Sequence, residues 1–189
     1  MTSSPHLRKP GPEHVRRAWG TIGENELRVP PAVAEQVVDA LNADLSGLYI
    51  LFNQVRKHSW LLEGAESNDV RAFLQATADR LSEMTDDLAI RVHALGGVPV
   101  CGPMGVRQHA SLFIEPANLY DMRSSLERDL DGFATLAVQL RDHIELVQEL
   151  GDNATLELLQ GHLKTLEGDA HTLDRYLADD TLVRLGADE

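Results

Sequence analysis

Asp86 and His93 are the two residues of this chain best placed to bind a metal ion. They lie seven residues apart in a segment with helical periodicity, so both belong to one face of the predicted helix. A carboxylate and an imidazole are ligands for transition metals, but a single pair is far from a full coordination set. The spacing therefore predicts part of a metal site and leaves the remaining ligands unassigned.

A second set of possible ligands lies in a connection rich in glycine and proline. Cys101, Met104 and His109 supply a thiol, a thioether and an imidazole, which are ligands for soft metals and haem. Their spacing matches no metal-binding motif, and loops collect such residues by chance. Cys101 is the only cysteine, so an intrachain disulfide is excluded and a reducing cytoplasm is the expected compartment.

Charge is distributed unevenly along the chain. The net charge of −13 argues against nucleic-acid binding by most of the molecule. The first 20 residues are basic instead, with four cationic side chains against one acidic residue. These four predict a segment that binds DNA through its phosphates: Arg8, Lys9, Arg16 and Arg17. The alternative is a segment that packs on a neighbouring subunit through Val15, Trp19 and Ile22.

Four amphipathic helices must position these residues. Proline and glycine in residues 1–30 predict a flexible N-terminal arm, and residues 181–189 form a short C-terminal tail. Within residues 31–180, apolar residues recur with helical spacing in four stretches. The stretches run from Pro31 to about Gly64, from about Asp69 to Leu95, from about Asn118 to Gly151, and from Asp152 or Asn153 to Leu177.

The lengths of the connections predict how these helices pack. The turns at 64–68 and 151–153 make each flanking pair antiparallel, whereas residues 96–117 are long enough to cross the molecule. The predicted fold is an all-α four-helix bundle with a long crossover between helices two and three. Periodicity alone also fits other helical bundles.

No apolar run reaches the ~20 residues that span a bilayer, and the N-terminus has no apolar signal core, so neither membrane insertion nor secretion is predicted.

Six short segments carry a more specific signal than the periodicity. They read LNADL at 41–45, KHSW at 57–60, EG at 63–64, LGGVP at 95–99, GDNAT at 151–155 and DAHTLDRYL at 169–177. Their order and spacing resemble the Dps family of small ferritins over about residues 32–180, with the last segment closest to archaeal and cyanobacterial members. The resemblance implies a ferritin-like bundle that assembles into a hollow shell of twelve subunits. It also implies iron sequestration and protection from oxidative stress.

The same resemblance implies where the iron-oxidising centre of the family falls in this sequence. That centre lies between symmetry-related subunits and uses two histidines and three carboxylates. The resemblance places the five positions at Ser59, Arg71, Gln75, Asp86 and Ile90, so only Asp86 keeps its ligand type. Trp60, which stands beside the centre in relatives, is also retained. Ile90 has no lone pair where the family has a bridging glutamate, and Arg71 brings a cation that could pair with Asp86. We therefore expect an altered or lost oxidation centre, with His58 partly exposed at a subunit contact.

Three functions remain open from the sequence. The first is an iron-storing shell in which Asp152 and Glu157 attract cations, because the equivalent turn lines the three-fold pore of Dps shells. Asp152 equally suits an ordinary helix cap. The second is a DNA-associated or structural cage without iron oxidation, and the third is a ferritin-like protein whose metal site has moved to Asp86 and His93. A mixed shell with a paralogous subunit that supplies the missing ligands also remains open.

Overall fold

The computed structural model describes residues 11–64 and 66–178 of the chain. Five α-helices lie within these residues, and no strand does. They are α1 (Pro31–Leu61), α2 (Ser67–Ala94), α3 (Pro103–His109), α4 (Met122–Leu150) and α5 (Asn153–Leu177). The four long helices form the predicted bundle. The short α3 lies inside the crossover, for which the sequence predicted no helix.

Apolar side chains at helical spacing build the core of the bundle. The α1–α2 and α4–α5 hairpins each pack along their length, and α1 also packs against α4. Two glycines allow that close approach, because a Cβ atom on Gly47 would meet Leu136 and one on Gly132 would meet Leu51. The largest fully buried side chains are those of Phe133, Leu41, Leu45, Leu48, Leu51, Leu74, Leu81, Leu88, Leu95, Leu136, Leu140 and Leu159. No helix among the described residues is both long and apolar enough to cross a membrane.

The start of α4 differs from the sequence-based expectation. The helix begins at Met122 rather than near Asn118, because Asp121 caps it: Ser124 donates its backbone N–H to Asp121 Oδ1 at 2.9 Å. The helix ends as predicted at Gly151, which adopts a left-handed conformation with φ 74°. Both helix ends are therefore determined by local capping chemistry.

The crossover leaves α2 along the side of α1. Asn42 of α1 is buried, and its side-chain oxygen accepts the backbone N–H of Val100 at 2.7 Å while its amide donates to the carbonyl of Val98 at 3.3 Å. These two bonds satisfy backbone groups that would otherwise lie unpaired against the bundle. The burial of Asn42 on an apolar helix face is thereby explained by the path of the chain.

Residues 17–23 of the N-terminal segment dock on the turn that follows α2. Gly23 donates its N–H to the carbonyl of Gly96 at 2.9 Å, and the Arg17 guanidinium donates to the same oxygen. Ile22 packs against the core, and Trp19 lies against the ring of His109 with centroids 5.2 Å apart. These contacts are made within one chain, so this part of the predicted arm is bound to its own bundle.

Replacing Gly96 by Ala is expected to destabilise the fold by roughly 1–3 kcal/mol and to release residues 17–23. Gly96 has φ 88°, and a Cβ atom there would lie 2.4 Å from the carbonyl oxygen of Gly23. Gly102→Ala is the matched control, because Gly102 has φ 85° with nothing near its Cβ position. Urea unfolding and hydrogen exchange of residues 17–23 measure the two effects; equal losses in both variants would contradict the docking role.

Candidate functional site

The face of α2 that carries the predicted metal ligands is exposed. Asp86 and His93 are both exposed, and neither makes a hydrogen bond or ion pair within the described part of the chain. Between them, Ile90 exposes 68% of its surface. This side chain therefore takes no part in the core of its own bundle. An exposed isoleucine between a carboxylate and an imidazole interrupts any ligand set along this face.

The facing positions of α1 have also lost their ligand chemistry. Ser59 is buried, and its hydroxyl donates to the carbonyl of Arg56 at 2.8 Å, one turn back in the same helix. Trp60 is 63% exposed. The guanidinium of Arg56 lies between the rings of Phe52 and Trp60, 5.1 and 5.2 Å from their centroids. This surface presents a cation and two aromatic rings where the family carries a histidine.

Arg71 has a structural partner. Its Nη2 atom donates to the carbonyl of Leu62 at 3.1 Å, which is the residue that caps the C-terminus of α1. A cation at a helix C-terminus is favourable because the last carbonyls carry partial negative charge. The predicted pairing of Arg71 with Asp86 does not occur within the chain. Gln75, the remaining position of the set, is exposed on α2.

The residues present do not fit an iron centre within one protomer. No group of three or more His, Cys, Asp or Glu side chains among the described residues is arranged to hold a metal ion. Iron requires several oxygen and imidazole ligands around one point, and a two-metal centre adds a bridging carboxylate. The metal site predicted at Asp86 and His93 therefore stays a prediction that depends on ligands from another chain.

The predicted pore acids have different surroundings. Asp152 is buried, and both of its carboxylate oxygens accept from Arg91 Nη2, at 2.7 and 2.8 Å. Its carboxylate also caps α5 by accepting the backbone N–H of Thr155 at 3.2 Å. Burial would raise the pKa of Asp152, but the bonds from Arg91 and Thr155 hold it below 3.8. Glu157 is exposed, so it is the member of the pair whose charge is free to attract cations.

The remaining predicted sites are not assembled by the fold. Arg8 and Lys9 lie outside the described residues, Arg16 is exposed, and Arg17 is bound to the carbonyl of Gly96. The three possible soft-metal ligands, Cys101, Met104 and His109, are all exposed. In particular, Met104 exposes 70% of its surface, and His109 packs on Trp19. DNA binding by the basic residues of the N-terminal segment stays a prediction. Metal or haem binding by Cys101, Met104 and His109 also stays a prediction.

A buried charged cluster joins α1, the crossover and α4, and the sequence did not predict it. His58 is only 2% exposed, so the prediction of a partly exposed histidine was wrong. Its Nδ1 lies 2.8 Å from Asp129 Oδ1, and its Nε2 lies 3.0 Å from Glu115 Oε2. Burial would lower the pKa of His58, but the two carboxylates together raise it above 6.5.

Two further histidine–aspartate pairs connect the helices. His143 of α4 lies 2.8 Å from Asp44 of α1, and Gln139 donates to the same oxygen at 2.7 Å. Burial opposes the charge of His143, but Asp44 raises its pKa above 6.5. His162 of α5 lies 3.4 Å from Asp87 of α2, and burial lowers its pKa. These pairs connect the two hairpins of the bundle through polar contacts.

One signal in the sequence marks these buried polar residues. Asp44 and His58 occupy the apolar face of α1, three residues after Leu41 and Val55, and Asp129 stands three residues after Leu126 on α4. A charged residue at a core position is buried at a cost unless it finds a partner, so its position predicts a buried pair. The spacing does not tell which residue is the partner.

Comparisons with known proteins agree with this fold. The family model described as ferritin-like domain matches residues 38–183. The chain is 46% identical over 176 residues to the DNA protection during starvation protein of Halobacterium salinarum, covering 93% of this chain and 97% of that protein. It is 31% identical to the nutrient stress-induced DNA-binding protein of a Synechococcus species, covering 88% of this chain and 94% of that protein.

Solved structures give the same result. A crystal structure of an archaeal Dps homologue from Halobacterium salinarum superposes with a TM-score of 0.89 at 44% identity, over 92% of this chain and 97% of that one. DpsC from Streptomyces coelicolor superposes with a TM-score of 0.87 at 27% identity, over 90% of this chain and 99% of that one. The bundle and its crossover are thus shared along nearly the full length of both structures.

Proposed function

Because this chain belongs to the Dps family of ferritin-like proteins, we propose that it forms a cytoplasmic hollow shell that stores iron without oxidising it efficiently. The shell would be a dodecamer, which is the assembly state of one structural neighbour, a dodecameric thioferritin from Bacteroides fragilis. Its role would be protection during starvation and oxidative stress, in line with the names of the Halobacterium and Synechococcus relatives. Iron is the cargo in this proposal.

A single observation carries the proposal that the oxidation centre is lost. Ile90 stands 68% exposed at the position that the resemblance assigns to the bridging glutamate, and Asp86, one turn before it, has no ion-pair partner in the described part of the chain. A hydrocarbon side chain supplies neither the charge nor the lone pairs that bridge two metal ions. The commitment of Ser59 and Arg71 to backbone carbonyls supports the same conclusion.

Iron uptake by the assembled protein tests this proposal. The purified shell is given Fe(II) under air, and separately with hydrogen peroxide, and the appearance of Fe(III) is compared with an iron-only blank. We expect the initial rate to equal that of the blank, while mineral accumulates inside the shell and co-sediments with it. Oxidation much faster than the blank would contradict the loss of the centre, and an intact shell without mineral would contradict storage.

A DNA-associated cage is the second candidate. It is favoured by the exposed Arg16, which follows Lys9 and Arg8 in a basic segment, and by the names of the relatives. Phosphate contacts of this kind weaken steeply with salt. This function predicts salt-sensitive retardation of duplex DNA that disappears when residues 1–20 are removed. Retardation that survives the deletion would place the DNA contact elsewhere on the shell.

A relocated metal site is the third candidate. Asp86 and His93 share an exposed face of α2, and a neighbouring or paralogous subunit would have to supply the other ligands. This function predicts stoichiometric metal binding that is lost in His93→Ala and retained in a variant of the exposed His171 on α5. Equal metal content in both variants would exclude it.

A further inference from the structure

We propose that His58 is a pH-sensitive latch that fastens residues 110–118, here called the strap, to the bundle. The strap is the first part of the non-helical segment between α3 and the start of α4. It lies over α1 and α4, and its only acidic residue is Glu115. The proposal concerns this intrachain contact and is independent of whether the shell stores iron.

The carboxylate of Glu115 holds the strap against α1. The side chain is only 4% exposed although its neighbours in the strap are mostly exposed. Its Oε2 atom accepts from Lys57 Nζ and lies 3.0 Å from His58 Nε2. Lys57 also donates to the carbonyl of Pro116 at 3.1 Å. These contacts fix the middle of the strap, while its start is held by Ser111, which donates to Gln139 of α4, and by Leu112, which packs against the core.

The other side of the imidazole is fixed to α4. His58 Nδ1 lies 2.8 Å from Asp129 Oδ1, and Gln54 donates to the same oxygen at 2.9 Å. Asp129 is fully buried, and its second oxygen has no hydrogen-bond partner among the described residues. His58 thus bridges an acid of the strap and an acid of the core.

Both contacts of the imidazole are satisfied only when the His58–Asp129 pair holds one proton more than the neutral imidazole and the ionised carboxylate. A neutral imidazole has one N–H, so one of its two nitrogens would present a lone pair to a carboxylate oxygen. The imidazolium donates from both nitrogens, and bonds of this kind to carboxylates are the strong, charge-assisted class. Burial raises the pKa of Asp129. In either position of that proton, on His58 Nδ1 or on Asp129, His58 Nε2–H donates to Glu115, so one proton within the His58–Asp129 pair serves both contacts.

The charged groups around His58 determine which bond opens when the proton leaves. On α1 these are Lys57 and His58 itself. On α4, Arg128 lies 3.6 Å from Glu115 Oε1 while its guanidinium stacks on Tyr120, and Asp131 lines the adjoining cavity. Glu115 keeps Lys57 and Arg128 as cationic partners, whereas the buried Asp129 keeps only Gln54. The remaining N–H therefore stays on the Asp129 side, and the bond to the strap is the one that is lost.

The direction of the pH response follows from the raised pKa of His58. The two carboxylates raise this pKa above 6.5 against the effect of burial. The stabilisation is therefore complete below 6.5 and is lost as the pH rises through the pKa of the folded state. Cavities of about 430 and 270 Å³ flank Glu115 and become more accessible when the strap loosens. The strap is therefore held more tightly at acidic pH, and at alkaline pH it loosens because only its other contacts, such as those of Lys57 to Glu115 and Pro116, remain.

Hydrogen exchange of the strap, in the full-length assembled protein, tests the latch. Protection factors of residues 110–118, corrected for the intrinsic rate, are measured at about pH 6 and about pH 9. In the natural protein we expect protection to fall at least about threefold at the higher pH. In His58→Gln, protection should be low at both pH values, because both N–H donors of the amide sit on one nitrogen and cannot span the two acids as the imidazolium does.

Two further variants keep the test decisive. Glu115→Gln leaves the His58–Asp129 pair intact and should abolish the pH response of the strap while α1 and α4 stay protected. His143→Gln is the matched control, since His143 also has a raised pKa and pairs with Asp44 but does not touch the strap. A strap whose protection is independent of pH, or an equal loss of the response in His143→Gln, would overturn the proposal.

Discussion

Four substitutions together are expected to raise the rate of Fe(II) oxidation by the assembled protein at least about tenfold over an iron-only blank. They are Ser59→His, Arg71→His, Gln75→Asp and Ile90→Glu. They return imidazole and carboxylate ligands to the positions that the resemblance to the Dps family assigns to its iron centre, and Asp86 is already present. Ile90 and Gln75 are exposed, so acids at these positions do not bury charge in the core of the protomer.

The matched control is the triple variant that retains Ile90. It carries both histidines and two carboxylates but lacks the bridging ligand, so its rate should stay at the blank. Ser59 is buried, and its replacement is the step most able to disturb packing. A second triple variant retains Ser59 and carries the other three substitutions. Comparing its assembly with that of the quadruple variant shows whether Ser59→His causes misfolding. An intact shell of the quadruple variant that oxidises iron no faster than the blank would contradict the assignment of these positions.

Breaking the buried pair between Arg91 and Asp152 is expected to destabilise the fold by about 3–5 kcal/mol. The side chains are 16% and 6% exposed, and Arg91 also donates from Nε to Thr155 at 2.7 Å. Arg91→Met removes the cation and leaves the carboxylate buried, which is the costly situation. The loss would be measured by urea unfolding of the assembled protein at constant protomer concentration.

An exposed ion pair of the same bundle provides the control. Arg141 and Glu167 form a comparable contact between α4 and α5, but their side chains are 51% and 49% exposed. Arg141→Met should cost no more than about 1 kcal/mol, because water screens the pair. Similar losses in the two variants would contradict the structural role of Arg91.

The pH dependence of the Arg91–Asp152 pair has a defined sign. Because the pKa of Asp152 is lowered below 3.8, its contribution is complete above that value and is lost as the pH falls through the pKa of the folded state. The difference in stability between the natural protein and Arg91→Met should therefore shrink in acid. This dependence is opposite to that of the His58 latch, so one pH series separates the two effects.

The buried acid at Asp152 also changes how the expected pore must be understood. The sequence places two acids at the turn between α4 and α5, but a carboxylate neutralised by Arg91 contributes little to a field that attracts cations. Within the protomer, Glu157 is the exposed acid of the two. We infer that substitution of Glu157 would affect cation entry more, and substitution of Asp152 would affect stability more.

The sequence by itself determined the helical architecture of this protein. Apolar spacing predicted the four long helices, and glycines at 64, 96–97 and 151 placed their ends within a few residues. These features are local, because a helix face and a helix cap each depend on residues within one or two turns. The short segments that resemble the Dps family could also be recognised from the sequence, because the resemblance depends on their order and spacing along the chain. The start of α4, the short α3 and a single 3-10 turn at Pro12–His14 were not predicted.

The tertiary structure alone decided the partners of the charged residues. His58 meets Glu115 and Asp129 across 57 and 71 positions of sequence, and Arg91 meets Asp152 across 61. Periodicity indicates that such a residue faces the core, but its partner depends on which distant helix packs opposite and at what height. A buried charge must be compensated, so the fold selects one partner from many candidates. For this reason the positions of the helices could be read from the sequence, whereas the latch and the Arg91–Asp152 pair could not.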